Sequence, residues 1–372
     1  MSHFCKVCLS NSLNNNLTQL KNYVTSDTQN TDIRPLTLRC NSCGLIQKKT
    51  DQYYKTKTSE LYNDYQIFNQ SSINDQKTFG NDGEMSNRAV LIGKRAASLF
   101  NKKSSGVLAE VGCGYGQFLS EFSHHMPKWK LEGFDLSENY AESVNSINNA
   151  TYFCDEFTKF HRQYDAIVGI HLLEHLYNPL DFLKYCAKMI NPNGFIIFEV
   201  PNIKTNLFDL TICDHVCHFS PEHIEILSHQ AGLEVVEIDE NYVKRELFIV
   251  LKKPCNEYQL KENNNFEFKE NTNINFLLQF EKLMEAIESP YYIFGSSIAA
   301  TWVLQYSREL AIAFLDQDTK RIGMQHQHLP IQSIDQIENC SKVVMPFNIE
   351  DTKRIMKTFS EKDVSIIHPD FK

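Results

Sequence analysis

Three groups of residues in this chain have the types and spacing to do chemistry. Cys5-Lys6-Val7-Cys8 and Cys40-Asn41-Ser42-Cys43-Gly44 are two Cys-x2-Cys pairs with 31 residues between them. Two residues between cysteines let both thiolates of a tight turn face one metal, and a second such turn completes a tetrahedral four-sulfur shell. Four thiolates leave no open position, so the spacing predicts a structural Zn2+ held by Cys5, Cys8, Cys40 and Cys43. The second group reads VLAEVGCGYG from Val107 to Gly116. It is an apolar strand running into a turn, Gly112-x-Gly114-x-Gly116, whose missing side chains let a ligand approach the backbone closely. The third is FDLTICDHVCHFS from Phe208 to Ser220, which clusters Asp214, His215 and His218. A neutral imidazole is a natural general base at physiological pH. Asp214 or another carboxylate can orient the ring, although adjacent residues on an extended chain point apart, so binding a substrate hydroxyl is also open to Asp214. A metal on Asp214, His215 and His218, or a loop satisfied by backbone groups, are the alternatives.

Positioning these groups requires a layered α/β framework. From Gly106 the pattern alternates strand and helix. Strands are predicted at Val107–Val111, Lys130–Phe134, Ala166–Ile170, Phe195–Val200, Glu234–Ile238 and Glu246–Lys252. Helices are predicted at Gln117–His125, Asn139–Asn148, Pro179–Ile190 and Pro221–Gln230, after an earlier one at Ser86–Phe100. That alternation implies a parallel sheet covered on both faces. Asp214, His215 and His218 then fall in a loop at the sheet's carboxyl edge, where open α/β sheets bind ligands. Residues 256–275 are rich in Asn, Glu and Lys and read as a linker. A second α/β run follows: helix Ile274–Ile287, strand Tyr291–Phe294, helix Ile298–Tyr306, strand Leu310–Leu315, strand Lys342–Met345, helix Ile349–Ser360 and strand Val364–Ile367. Leu329-Pro330-Ile331 is taken as a loop before a helix. The chain thus divides into a zinc-binding head (1–60), a central domain (61–255) and a C-terminal domain (256–372).

Composition narrows the function. The chain has 372 residues, 42% apolar and 22% charged, with a mean hydropathy of −0.37. Its strongest apolar runs are of strand length, so no membrane partner is expected, because a membrane span needs about 20 apolar residues. The first ten residues lack the apolar core of a secretory signal. Eleven cysteines is an odd number in a long chain, which argues against a disulfide framework. The remaining seven, Cys113, Cys154, Cys186, Cys213, Cys217, Cys255 and Cys340, are expected to be reduced, and the protein is expected in the cytoplasm. Net charge is −9, with an excess of four positive charges in residues 1–60 and an acidic remainder. An acidic bulk argues against nucleic acid as a partner. The basic head is either ordinary surface charge or a lip over an anionic ligand.

The glycine turn, preceded by Glu110, resembles the first motif of class I S-adenosylmethionine (SAM) methyltransferases. Asp135 ends the second strand, 19 residues beyond Gly116, where a carboxylate can accept both ribose hydroxyls. Asp155 falls where that family contacts the adenine amino group. Tyr164–His171 resembles its fourth strand, and Ile190-Asn191-Pro192-Asn193-Gly194-Phe195 the turn before its fifth. The resemblance implies SAM as cofactor, with Glu110, Gly112, Gly114, Gly116, Asp135, Asp155 and His171 around it. His171-x-x-Glu174-His175 has an inverted-zincin protease spelling. Here it closes the fourth methyltransferase strand, so His171 is expected to line the pocket and His175 to pack or cap. The whole chain resembles the three-domain sugar C-methyltransferases, which join a four-cysteine zinc domain, a SAM domain and a Rossmann-like C-terminal domain. Their catalytic segment, Tyr-x-Glu-His before an aromatic-Phe-Ser, places the base at His215 and the acid at Asp214. The family tyrosine becomes Ile212, and the aromatic before Phe219 becomes His218, a possible replacement donor. The resemblance implies C-methylation of a nucleotide-activated keto-sugar, with the C-terminal domain helping to hold the diphosphate through the turn Gly295-Ser296-Ser297. O-methylation of a sugar or small metabolite, and a non-catalytic zinc- and SAM-binding module, are the other readings.

Overall fold

The structure is a computed structural model that describes residues 4–15, 17, 19–63, 77–79, 85–155, 160–254, 272–359 and 362–371. Its centre is a seven-stranded sheet built from Val107–Val111, Lys130–Asp135, Ala150–Cys154, Tyr164–Ile170, Ile190–Pro201, Glu234–Asp239 and Glu246–Lys252. Numbered in that sequence, the strands lie in the order 6-7-5-4-1-2-3. The seventh runs antiparallel to the fifth and sixth, and the rest are parallel. The order reverses between the first and fourth strands, which opens a crevice at their carboxyl ends. This is the Rossmann-like methyltransferase fold. The Ala150–Cys154 strand carries Tyr152 and Cys154, but its short, half-exposed run gave no strand signal of its own.

Local chemistry sets the element ends. Pro179 and Pro221 each stand in the first turn of a helix, where their missing N–H is no loss. Ser220 and His223 close a capping box on the second of these. The helix Arg88–Ser98 takes its N-terminal cap from the Asn87 side chain, which accepts from the Ala89 N–H.

A four-stranded sheet forms at the N-terminus from Leu13–Asn14, Thr37–Cys40, Ile46–Lys48 and Cys217–His218, in that order. Its fourth strand comes from the catalytic candidate segment. Cys217 pairs with Gln47 and His218 with Ile46. The long excursion between the cysteine pairs is tied down by a parallel bridge from Val24 to Ile212.

The C-terminal residues form a six-stranded sheet. Tyr291–Phe294 lies between Ala311–Leu315 and Ser341–Val344. Leu329–Gln332 is a strand rather than the expected loop, because it pairs with both Ala311–Leu315 and Gln325–His326. A helix spans Thr272–Glu285, and the expected linker up to residue 271 lies outside the described residues. Cys113, Cys186, Cys213 and Cys217 are buried, Cys154 is half-buried and Cys340 is exposed; Cys255 lies outside the described residues. Among the described residues, no helix is long and apolar enough to cross a membrane.

Candidate active site

The cofactor turn has the backbone its glycines imply. Gly112, Gly114 and Gly116 have φ of +72°, +48° and +76°, a region that side chains disfavour. A Cβ at Gly112 would meet only Leu172 Cδ1 at 3.5 Å, so the space above it is open. A Cβ at Gly116 would lie 2.8 Å from Ile147 Cδ1, so that glycine is needed for packing. The Gly114 N–H donates to Asp135 Oδ2 at 2.9 Å, and the Leu136 N–H to Oδ1 at 2.7 Å. Burial raises the Asp135 carboxyl against these bonds. Glu110 is buried, and its Oε2 has no partner. Burial, then the nearby Asp135 charge, pushes its carboxyl well above the usual range. A buried carboxyl oxygen without a partner beside a bare glycine turn is a polar group left for a ligand to satisfy. Asp155 starts the loop after the third strand, and its N–H donates to Asp135 O at 2.9 Å.

Leu172 leads from this turn into an acid–base cluster. His171 stands at φ +50°, a strained value for a histidine. Its Nδ1 is 2.9 Å from Glu174 Oε1. Its Nε2 lies 3.9 Å from Glu199 Oε2 and 3.8 Å from Glu246 Oε2. The buried Arg88 guanidinium reaches the same two carboxyls, each at 3.5 Å. Burial raises Glu199 to about 7 and Glu174 to about 8, and pushes Glu246 well above the usual carboxylate range. Burial, then Arg88, lowers His171 well below the histidine range, so it is neutral.

The histidine segment is organised by a residue the sequence reading passed over. Asp209 lies in a 3-10 turn, Asp209–Thr211, that folds it back under the loop. Its Oδ1 is 2.6 Å from His215 Nδ1, and its Oδ2 is hydrogen-bonded to His218 Nδ1. Burial would raise the Asp209 carboxyl; the interactions with the two imidazoles bonded to it, His218 and His215, overcome this and hold it below the carboxylate range. Burial alone would lower His215, and Asp209 instead raises it. Burial lowers His218 to about 4.

Two expectations are corrected. The carboxylate that orients His215 is Asp209, not Asp214. Asp214 is fully buried and faces the head, accepting from the Ser26 N–H at 2.9 Å and the Ser26 hydroxyl at 2.5 Å. Nor is His218 a donor to a ligand: it is neutral and its Nδ1–H is spent on Asp209, so Nε2 can only accept. Ile212, at the family's tyrosine position, is buried apolar packing. His175 caps as expected, with Nδ1 3.1 Å from Asp214 O and 3.0 Å from the Tyr62 hydroxyl.

The four head cysteines converge. Cys5 Sγ is 3.5 Å from Cys43 Sγ, and Cys8 Sγ is 3.5 Å from Cys40 Sγ. All four sulfurs lie within 4.8 Å of one another. Sulfurs 2.3 Å from a tetrahedral zinc stand about 3.8 Å apart, so the donor set fits that ion.

Residues 85–238 match the family model described as a methyltransferase domain. The chain carries a class I SAM-dependent methyltransferase domain. It is similar to the ubiquinone biosynthesis O-methyltransferase of Thiobacillus denitrificans, 23% identical over 174 residues, covering 41% of this chain and 69% of that protein. The enzyme of the same name from Coxiella burnetii is 30% identical over 125 residues, 30% of this chain and 52% of its own length. The chain thus spans about half the length of the Coxiella relative. Among solved structures, the plantazolicin methyltransferase BpumL in complex with a monoazolic desmethylPZN analog and SAH is 15% identical, covering 45% of this chain and 84% of that one, with a TM-score of 0.39.

The methyltransferase domain brings His171, His215 and His218 into one cluster beside the glycine turn, and turns the Asp214 carboxylate toward the head. Arg88, Asp209, Glu199 and Glu246 complete the cluster and were missed. Only Glu199 left a trace in the sequence, as the one charge in the apolar run Phe195–Val200.

Proposed function

We propose that this enzyme transfers the methyl group of SAM to a sugar-type acceptor that His215 deprotonates, with C-methylation beside a ketone as the first reading. The observation that carries it is the buried His215–Asp209 pair. The carboxylate fixes the Nδ1–H tautomer, so Nε2 presents a lone pair, and the carboxylate then stabilises the imidazolium that forms. His215 would take the proton from the carbon next to the carbonyl. The resulting enolate carbon would attack the sulfonium methyl in line, releasing the neutral thioether product. Glu110, Asp135, Asp155 and the glycine turn would hold SAM, with His171 at the rim of its pocket. A hydroxyl-rich acceptor is supported by the buried oxygens of Glu199 and Glu246 that have the Arg88 charge nearby but no hydrogen-bond partner, since buried polar atoms seek partners. A nucleotide carrier, the substrate implied by the three-domain resemblance, would be held in part by the C-terminal sheet. Zn2+ on Cys5, Cys8, Cys40 and Cys43 would be structural.

O-methylation is the second reading, favoured by the names of the relatives and by the absence of a tyrosine at Ile212. One experiment separates them. Incubation with SAM and 4-keto nucleotide-sugars in deuterated water should give exchange at the carbon beside the ketone and a C-methyl product. A methyl ether without exchange selects O-methylation. Full turnover by His215→Ala would remove His215 as the base.

A further inference from the structure

We infer that Glu174, His175 and His215 form a second metal site, which takes a divalent first-row transition ion and leaves a coordination position open for the acceptor's oxygen. One donor atom from each of the three lies within 4.8 Å of the other two. Two imidazoles and one carboxylate suit such an ion, and three protein ligands leave a position free, as in catalytic rather than structural sites.

The hydrogen bonds behind each ligand carry the argument. His215 gives its Nδ1 to Asp209 at 2.6 Å. His175 has its Nδ1 3.1 Å from the carbonyl oxygen of Asp214, which can only accept, so that nitrogen bears the proton. Both rings therefore present a bare Nε2. Glu174 Oε1 is 2.9 Å from His171 Nδ1, and its Oε2 is buried without a partner. Each ligand thus has one atom anchored by an outer partner and one atom unspent. That is the arrangement in which outer-shell groups orient metal ligands.

The inference rests on the proposed methyl transfer only for what the ion would do there. Ion and proton are alternative occupants of His215 Nε2. With the ion bound, its open position would take the acceptor's oxygen, a role that His218, its Nδ1–H spent on Asp209, does not fill. The acceptor's proton would then pass to His171 Nε2, a buried imidazole nitrogen without a hydrogen-bond partner.

The test uses full-length, zinc-loaded protein titrated with cobalt(II), with cobalt and zinc both counted by mass spectrometry. The expected result is one cobalt per chain with the zinc content unchanged. Glu174→Gln and His175→Ala should each weaken cobalt binding at least tenfold at unchanged zinc content. Asp209→Asn, which removes only an outer partner, should weaken it about 10- to 100-fold. SAM affinity, measured on every variant, reports folding. Wild-type protein that binds no cobalt beyond the zinc it exchanges would overturn the site, as would cobalt binding that all three variants retain. Cobalt binding without methyl transfer to any keto-sugar would count against the proposed function and leave the metal site standing.

Discussion

At Gly116 and Gly112 the same left-handed backbone answers two different needs. Gly116→Ala places a Cβ in a disfavoured conformation and 2.8 Å from Ile147. It should lower stability by about 2–3 kcal/mol, from backbone strain plus overpacking. Gly112→Ala meets only Leu172 at 3.5 Å, so its stability cost should be about 1 kcal/mol from strain alone, while its methyl occupies the space left for the cofactor. Denaturant unfolding and SAM titration check the pair: Gly112→Ala should lose SAM affinity at least tenfold with little loss of stability. Equal stability losses in the two variants would contradict this division. The turn was legible because its function needs consecutive residues. Asp209 was not, although it lies only six residues before His215. An extended chain would carry it about 20 Å away, and only the 3-10 turn returns it. Arg88, Glu199 and Glu246 meet through three separate elements, and no spacing in the sequence encodes that.

Elements couple the head to the histidine segment. Strand alternation made the central sheet legible, but nothing in the sequence announced that Cys217–His218 would pair with Ile46–Lys48. Two-residue strands have no periodicity to read. The consequence is that the four-cysteine head holds the histidines in place. Lys48 N–H donates to Val216 O at 2.8 Å, His223 Nε2 is 3.0 Å from Cys43 O, and the Tyr54 hydroxyl donates to Cys213 O at 2.9 Å. Removing zinc with a chelator should therefore speed hydrogen exchange across 208–223 while peptides from Val107–Val111 and Lys130–Asp135 stay protected. Unchanged exchange in 208–223 would refute the coupling. Lys48 adds a pH signature. Its ammonium is fully buried, 3.3 Å from Thr37 Oγ1 and 3.2 Å from Leu210 O, and burial lowers it to about 8. A lysine lowered in the folded state costs stability fully below its folded pKa. The cost shrinks as pH rises from there toward the unfolded value near 10.4. Wild type should therefore gain on Lys48→Met above pH 8, by up to roughly 1.4 kcal/mol per pH unit. Urea midpoints of both proteins at pH 7.5 and 9.5 measure it, and a constant gap would show that the ammonium is not penalised.

Across the whole molecule, the C-terminal sheet buttresses the same segment from the other side. Trp302, on the helix Ile298–Leu304, is fully buried. Its ring centroid is 5.9 Å from that of Phe208, and its Nε1–H donates to Asn22 O at 2.9 Å. Phe276 and Phe280 enclose Phe208 at 6.1 and 6.0 Å. Phe208 immediately precedes Asp209, and Val24, two residues beyond Asn22, bridges to Ile212. One indole thus packs on Phe208 at one flank of the turn that presents Asp209 to His215 and is tied through Asn22 and Val24 to Ile212 at the other, while Glu110, Asp135 and Asp155 lie at the ends of the first three strands of the central sheet. The two functions should separate when it is removed. Trp302→Ala should cost about 3–5 kcal/mol as a large-to-small core change. Below its unfolding range it should keep SAM affinity within about twofold and lose methyl transfer at least tenfold, because the turn under His215 loses one wall. Trp302→Phe, which keeps an aromatic wall but not the bond to Asn22, should fall between. Titration of SAM and single-turnover rates on the three proteins decide it. If SAM affinity and rate fell together, or stability fell while the rate held, the C-terminal sheet would be a separate attachment and not a support for the acid–base centre.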